Sequence, residues 1–421
     1  MIFRSYCILA QKTARVLVSG RHQLPTCIWL SLRRSASSMA VCPVLSVQPT
    51  RALVDEKFQI VVRNLHPKQE VTVHSLHHSE DKDYWEAFGH YTSDENGTVT
   101  VMEDASRGGT YTGTEPMGLL WSLRPIPGSR HGLRMRKRNV LSPMVVNISV
   151  YKGHMNQGFS EEAALATVVT ERWYLAPGVQ RVDIREQGVK GTLFIPPGPG
   201  PFPAVLDMWG GGGGLVEYRA ALLASHGFVA LALEYLTPNK KRTLDIETRY
   251  FETAYHILQS LPQVSSDRVA VLGLSFGASV TLTLAAYSKT AKPRCCVCIS
   301  GSHVHPVGKI KCPLLVVIAQ DDQNWATVES TEDMEQIMER SGNRHLLTVL
   351  SYPDAGHLIE PPYTPHIRFS NFITHFNGEK VIMLWGGQTK PHADAQEDAW
   401  EKILLFLQKH LYQDIPPEAK L

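Results

Sequence analysis

The chain has 421 residues, 43% of them hydrophobic and 19% charged, with a formal net charge of +2. That is an ordinary globular composition, long enough for two or three domains. It carries no basic field to attract nucleic acid, and no uninterrupted apolar run approaches the roughly 18 residues of a membrane-spanning helix.

Residues 1–38 read as a basic targeting segment. Met1 to Val54 contains no Asp or Glu, while Arg4, Lys12, Arg15, Arg21, Arg33 and Arg34 all precede Met39. Arg- and Ser-rich, acid-free sequence is the composition of a mitochondrial transit peptide. The opposite end carries Ala419-Lys420-Leu421, a conservative variant of the Ser-Lys-Leu tripeptide read by the peroxisomal import receptor. Met39 offers a second start that removes the basic segment and leaves the peroxisomal address.

Residues 39–170 are expected to form a β-sandwich domain. KFQIVVRNL, EVTVHSLHH, GTVTVME, MGLLWSLRP and PMVVNISVYKG are short alternating runs split by turn residues such as Asn96-Gly97. His74, His77 and His78 read as exposed strand-end residues rather than a metal site. From 171 to 421 the pattern changes to an α/β domain. GTLFIPPGPGPFP is a Pro/Gly-rich crossing into the strand PAVLDMW, and strands then alternate with helices as far as AQEDAWEKILLFLQKHL. Nearly continuous apolar strands between helices indicate a parallel sheet covered on both faces. Cys295, Cys296 and Cys298 fall in one such strand and read as small buried hydrophobes.

Gly273-Leu274-Ser275-Phe276-Gly277 ends the strand VAVLGL and opens a helix, the setting of a G-x-S-x-G nucleophile elbow. The tight turn exposes the Ser275 hydroxyl and puts the Phe276 N–H at a helix N-terminus, facing developing negative charge. An elbow predicts an acid and then a histidine at later strand ends. LLVVIAQDD supplies Asp322, with Asp321 the alternative, and LTVLSYPDAGH supplies His357. The second oxyanion donor is expected from the glycine run after Trp209, at Gly210 and Gly211. Such serine chemistry calls for no metal and no cofactor.

These residues closely resemble the acyl-CoA thioesterase and bile acid-CoA:amino acid N-acyltransferase family. The resemblance rests on GPFPAVLDMWGGGGGLVEYRAALLASHGF, GLSFGAS, QDDQNW, YPDAGHLIEPPY and WGGQTKPHADAQEDAW, and spans roughly residues 45–412. It implies an α/β-hydrolase fold behind an antiparallel β-sandwich, an acyl-CoA substrate, and Ser275, Asp322 and His357 as the triad. Acyltransferase members of the family carry Cys where Ser275 stands. An oxygen ester is less reactive toward amines than a thioester, so serine favours hydrolysis; amino-acid conjugation and carboxylesterase or dienelactone-type hydrolysis are the alternatives. Coenzyme A phosphates call for a basic rim, for which Lys240, Lys241 and Arg242 are the candidates. One departure stands out: family members carry several dozen more residues where this chain has only SHVHPVGKIK, with His303 and His305 in that loop.

Overall fold

The computed structural model describes residues 42–236, 248–302, 307–374 and 379–413. The basic segment, Lys240, Lys241, Arg242, His303, His305 and Ala419-Lys420-Leu421 lie outside the described residues. Residues 42–421 form one compact unit, within which a β-rich half precedes an α/β half.

The β-rich half contains β1 (Val44–Gln48), β2 (Arg51–Leu53), β3 (Gln59–Arg63), β4 (Glu70–His78), β5 (Tyr84–Thr92) and β6 (Val99–Thr100). The short helix α1 (Gly118–Trp121) follows, then β7 (Arg124–Pro125), β8 (Met144–Lys152) and β9 (Ala166–Trp173). Strands β1-β3-β6 make a three-stranded antiparallel sheet, and β2-β9-β8-β4-β5-β7 make a six-stranded one. Leu45, Val47 and Ile60 from the smaller sheet share a core with Val71, Val73 and Trp85 from the larger. MGLLWSLRP departs from the strand expected of it, because Gly118–Trp121 turns as a helix with all four residues buried.

Of the three histidines expected at exposed strand ends, His78 is exposed at the end of β4, whereas the expectation for His74 and His77 is corrected here. His74 is 3% exposed and His77 8%, because β4 is covered on both faces between Val71 and His77, with only Leu76 partly open. The His74 ring stacks on Phe159 at 4.0 Å, and His77 Nδ1 donates to the Val145 carbonyl at 2.8 Å. Burial pushes the His77 pKa down.

The α/β half opens with β10 (Gln180–Glu186), β11 (Val189–Ile195), β12 (Phe202–Met208), α2 (Tyr218–Ser225) and β13 (Val229–Glu234). It continues with α3 (Thr248–Ser260), β14 (Val264–Leu274), α4 (Phe276–Tyr287), β15 (Cys296–Ile299) and β16 (Leu314–Ala319). Helix α5 (Thr327–Arg340), β17 (Leu347–Tyr352), the hairpin β18 (Phe369–Ile373) and β19 (Lys380–Leu384), and α6 (Thr389–Leu411) complete it. The eight-stranded sheet has the order β10-β11-β13-β12-β14-β15-β16-β17. From β13 to β17 all neighbours are parallel, whereas β10 and β11 run antiparallel at one edge. The sheet is thus mixed rather than wholly parallel, since VKGTLFI pairs as a full strand before the Pro/Gly crossing. Two apolar cores cover its faces, one under α2 and α6 and the other under α3, α4 and α5. This is an α/β-hydrolase architecture. Among the described residues no helix is long and apolar enough to cross a membrane.

Contacts between the halves are polar as well as apolar. Asp55 accepts from Trp400 Nε1 at 2.7 Å and sits 2.6 Å from His226 Nε2. Burial lowers the His226 pKa, but the hydrogen bond and charge of Asp55 outweigh it, so the net shift is upward. A raised folded-state pKa contributes stability that is complete below the unfolded pKa of about 6.5 and is lost as pH rises through the folded value. We therefore expect thermal stability to decline more steeply from pH 6 to pH 8 in the parent than in His226→Gln. Parallel slopes in melting curves would show that this contact carries no proton linkage.

Candidate active site

Strand β14 delivers its last residue, Leu274, directly into Ser275, which caps α4 with φ 57° and ψ −120°. A side chain held at such positive φ costs on the order of 1–3 kcal/mol, so the neighbours must enforce it. They do so sterically. A β-carbon at Gly273 would overlap the Gly277 carbonyl, and one at Gly277 would press on the carbonyls of Met208 and Trp209. The Ser275 N–H is tied to the Ile299 carbonyl at 2.8 Å. Phe276 begins α4, so its N–H is among those without an intrahelical partner.

His357 follows β17 on a loop anchored to the turn after β19, its N–H donating to Trp385 O at 2.8 Å. The ring is 1% exposed and lies nearly parallel to Trp385. Its Nδ1 is 2.7 Å from Asp322 Oδ2, and its Nε2 is 2.9 Å from Ser275 Oγ. A carboxylate can only accept, so Nδ1 carries the proton and Nε2 presents its lone pair to the serine hydroxyl. The other Asp322 oxygen accepts from the N–H groups of Asn324 and Trp325 at 2.8 and 2.9 Å. Of the two aspartates, the structure brings Asp322 to His357. Asp321 turns away, accepting from the Gly387 N–H at 2.8 Å and from Gln323 at 2.6 Å.

The glycine run after β12 closes over the serine. A β-carbon at Gly210 would stand 3.2 Å from Ser275 Cβ, whereas one at Gly211 would meet nothing within 4 Å. The run is held from below by Arg219. This buried guanidinium donates to Asp207 at 2.7 Å and to the Met208 carbonyl at 2.9 Å, and lies 4.6 Å from the Trp209 ring. A cavity of ≈ 270 Å³ opens above, with Ser275 and His357 on its floor and Trp325, Phe372, Met383 and Trp385 among its walls. Arg134 and Arg136 reach the same cavity from the β-rich half.

Sequence reasoning missed several of these residues. His392 of α6 accepts from the Gly356 N–H at 3.1 Å and donates to the Leu358 carbonyl at 2.9 Å, bracing both sides of His357. Burial, aided by His366, pushes its pKa down to about 3, so it stays neutral. The motif KPHADAQ that holds it is present in the sequence, but nothing in the spacing reveals the brace. The three strand cysteines are buried in and beside β15, and burial pushes the Cys295 and Cys298 thiols up. Among the described residues no group of three or more His, Cys, Asp or Glu side chains is placed to hold a metal ion.

Comparison with known proteins bears on what this geometry serves. The family model "Acyl-CoA thioester hydrolase/BAAT N-terminal region" matches residues 55–186. "BAAT / Acyl-CoA thioester hydrolase C terminal" matches 246–309 and 303–413, two stretches that overlap within the β15–β16 connection. Mouse peroxisomal succinyl-coenzyme A thioesterase is 37% identical, covering 87% of this chain and 96% of its own. Mouse bile acid-CoA:amino acid N-acyltransferase is 34% identical over 88% of this chain and 98% of its own. Rat mitochondrial acyl-coenzyme A thioesterase 2 is 34% identical, with coverage of 87% and 89%. Among solved structures, a dienelactone hydrolase-like promiscuous phosphotriesterase from metagenomic libraries covers 55% of this chain and 98% of its own, at 20% identity and a TM-score of 0.41. With two family models matching most of its length and such relatives matching nearly all of theirs, the chain belongs to the acyl-CoA thioester hydrolase/BAAT family.

Proposed function

We propose that the protein hydrolyses acyl-CoA thioesters to free acid and coenzyme A through an acyl-enzyme on Ser275. The observation that carries this reading is the relay from buried Asp322 through His357 to Ser275, at 2.7 and 2.9 Å, in a chain of this family. Ser275 Oγ passes its proton to His357 Nε2 and adds to the thioester carbonyl. The oxyanion is received by the Phe276 N–H and by the Gly210-Gly211 backbone. As the C–S bond breaks, the sulfur takes the proton from His357 and leaves as coenzyme A. Water then gives a proton to His357 and its oxygen adds to the ester carbonyl. Collapse releases the acid, and the proton returns to Ser275.

The match to a bile acid-CoA:amino acid N-acyltransferase favours a second reading, transfer to an amine. A serine ester is a poorer acceptor of amine attack than a cysteine thioester, which supports water as the acyl acceptor. We also assign Ala419-Lys420-Leu421 as a peroxisomal address and the Arg-rich segment as a mitochondrial one, supported by relatives named for each compartment.

The test pairs thiol release from a series of acyl-CoAs with fluorophosphonate labelling. Steady turnover and stoichiometric label on the Ser275 peptide are expected, with free acid as product even when glycine or taurine is present. A protein that labels at Ser275 yet releases no thiol from any acyl-CoA would not be a thioesterase. Amide product in place of acid would establish the transferase.

A further inference from the structure

Cys296 and Cys312 are 16 positions apart in the chain, yet their sulfurs lie 3.8 Å from each other. Strand pairing brings them together. Cys296 opens β15, where its register partner on β16 is Leu314 and its N–H donates to the Pro313 carbonyl at 2.9 Å. Side chains two positions apart in extended chain share a face. Cys312 precedes Leu314 by two residues, and all three pack into the core under α3, α4 and α5. Cys312 itself sits at a bend ahead of β16 rather than within its ladder.

The two thiols are not equivalent. Cys296 is fully buried, whereas Cys312 is partly exposed and within reach of a small solute. The Cys296 thiol donates to the Cys312 sulfur, which draws the Cys312 pKa down; the same bond, with burial, pushes the Cys296 thiol up. A reachable thiolate beside a sheltered thiol is the arrangement of an attacking and a resolving cysteine. Cys295 belongs to the core on the opposite face of the sheet, and Cys298 Sγ donates to the Ala278 carbonyl at 3.7 Å. Two sulfurs with no third ligating side chain beside them, among the described residues, do not make a metal site.

We propose that Cys296 and Cys312 are a thiol pair that hydrogen peroxide oxidises to an intramolecular disulfide across the β15–β16 connection. The Cys312 thiolate attacks one peroxide oxygen and the O–O bond breaks. The other oxygen leaves as hydroxide and takes up a proton, giving one water and a sulfenic acid on Cys312. The Cys296 sulfur then attacks the Cys312 sulfur. The S–S bond forms, the S–O bond breaks, and the departing hydroxide carries off the Cys296 proton as a second water. Peroxide gains two electrons, one from each cysteine. A disulfide needs its sulfurs at about 2.05 Å, so about 1.8 Å is closed by side-chain rotation and a shift at the Cys312 bend. The bond fastens a connection that abuts the elbow, since the Ile299 carbonyl holds the Ser275 N–H and Gly301 leaves no room for a β-carbon beside Ala278. This inference goes beyond the thioesterase reading and does not depend on it.

In the experiment the reduced full chain is exposed to a small excess of hydrogen peroxide, blocked with maleimide, digested without reductant and mapped by mass spectrometry. Roughly half or more of the protein should yield a Cys296–Cys312 peptide pair, two hydrogens lighter than the free thiols and parted by dithiothreitol. Oxidation in guanidinium chloride should instead scatter the pairing among the seven cysteines. Cys296→Ser should stop the reaction at the Cys312 sulfenic acid, which dimedone traps, whereas Cys312→Ser should leave position 296 unlabelled. Mapping in the parent needs no variant, so a variant that fails to fold does not decide the matter. A Cys312 that stays a free thiol, that proceeds to sulfinic acid without a bridge, or that bridges to any other cysteine would overturn the proposal. Oxidation confined to the exposed Cys42 would do the same.

Discussion

Asp322→Asn is expected to lower kcat for thiol release by about four orders of magnitude while the protein stays folded. The carboxylate accepts from His357 Nδ1 at 2.7 Å and from two backbone N–H groups through its other oxygen. An amide at this position keeps the size but turns one acceptor into a donor. Either the two backbone bonds are lost, or the amide N–H faces Nδ1 and forces the proton onto Nε2, where it meets Ser275 instead of accepting from it. Ser275→Ala and His357→Ala should each cost a similar amount, and combining them should cost little more, because the relay acts as a unit. Asp321→Asn is the control. Its carboxylate is partly exposed and bonds to Gly387 and Gln323, so activity should stay within about tenfold of the parent. Equal losses in Asp321→Asn and Asp322→Asn would mean that the pair acts through loop geometry and not through the imidazole.

The second large effect is on stability. Arg219 and Asp207 are both 1% exposed in their side chains and 2.7 Å apart. Burial pushes the Asp207 carboxyl up, and the pull of Arg219 does not fully offset it. Removing one partner leaves the other charge buried alone, so Arg219→Met should destabilise the fold by about 3–5 kcal/mol, read from denaturant midpoints. Replacing both, as Asp207→Leu with Arg219→Met, should recover most of that loss, since an apolar pair of similar volume avoids the desolvation cost. Activity should not return with stability. Arg219 also ties down the Met208 carbonyl and underlies Trp209, and with them the glycine run beside Ser275. A double variant as unstable as the single one would refute the ion-pair account.

The parts legible in the sequence are those governed by local sterics and periodicity. The elbow could be read because Gly273 and Gly277 are required by atoms a few residues away, and the alternation of β12 to β17 with helices because their apolar runs are continuous. Asp322 and His357 followed from the order that an elbow imposes. Helix α5 escaped notice because it is mostly polar and buries only Thr327, Thr331, Met334 and Met338. Strand β11, second from the edge of its sheet, was obscured by the prolines that follow it. The contacts of Arg134 and His392 depend on partners brought in from distant sequence. Glu360 lies 226 positions from Arg134, and no pattern within the run Arg134–Arg138 tells which of its cations will reach it.

The wall that carries Arg136 belongs to the β-rich half, while the relay belongs wholly to the other. The cavity over the relay thus takes its lining from both halves of the chain. Substitutions at Arg134 or Arg136 alter the wall of that cavity while leaving Ser275, Asp322 and His357 as they are. Part of the wall around the nucleophile is therefore inherited from a loop more than a hundred residues upstream of it.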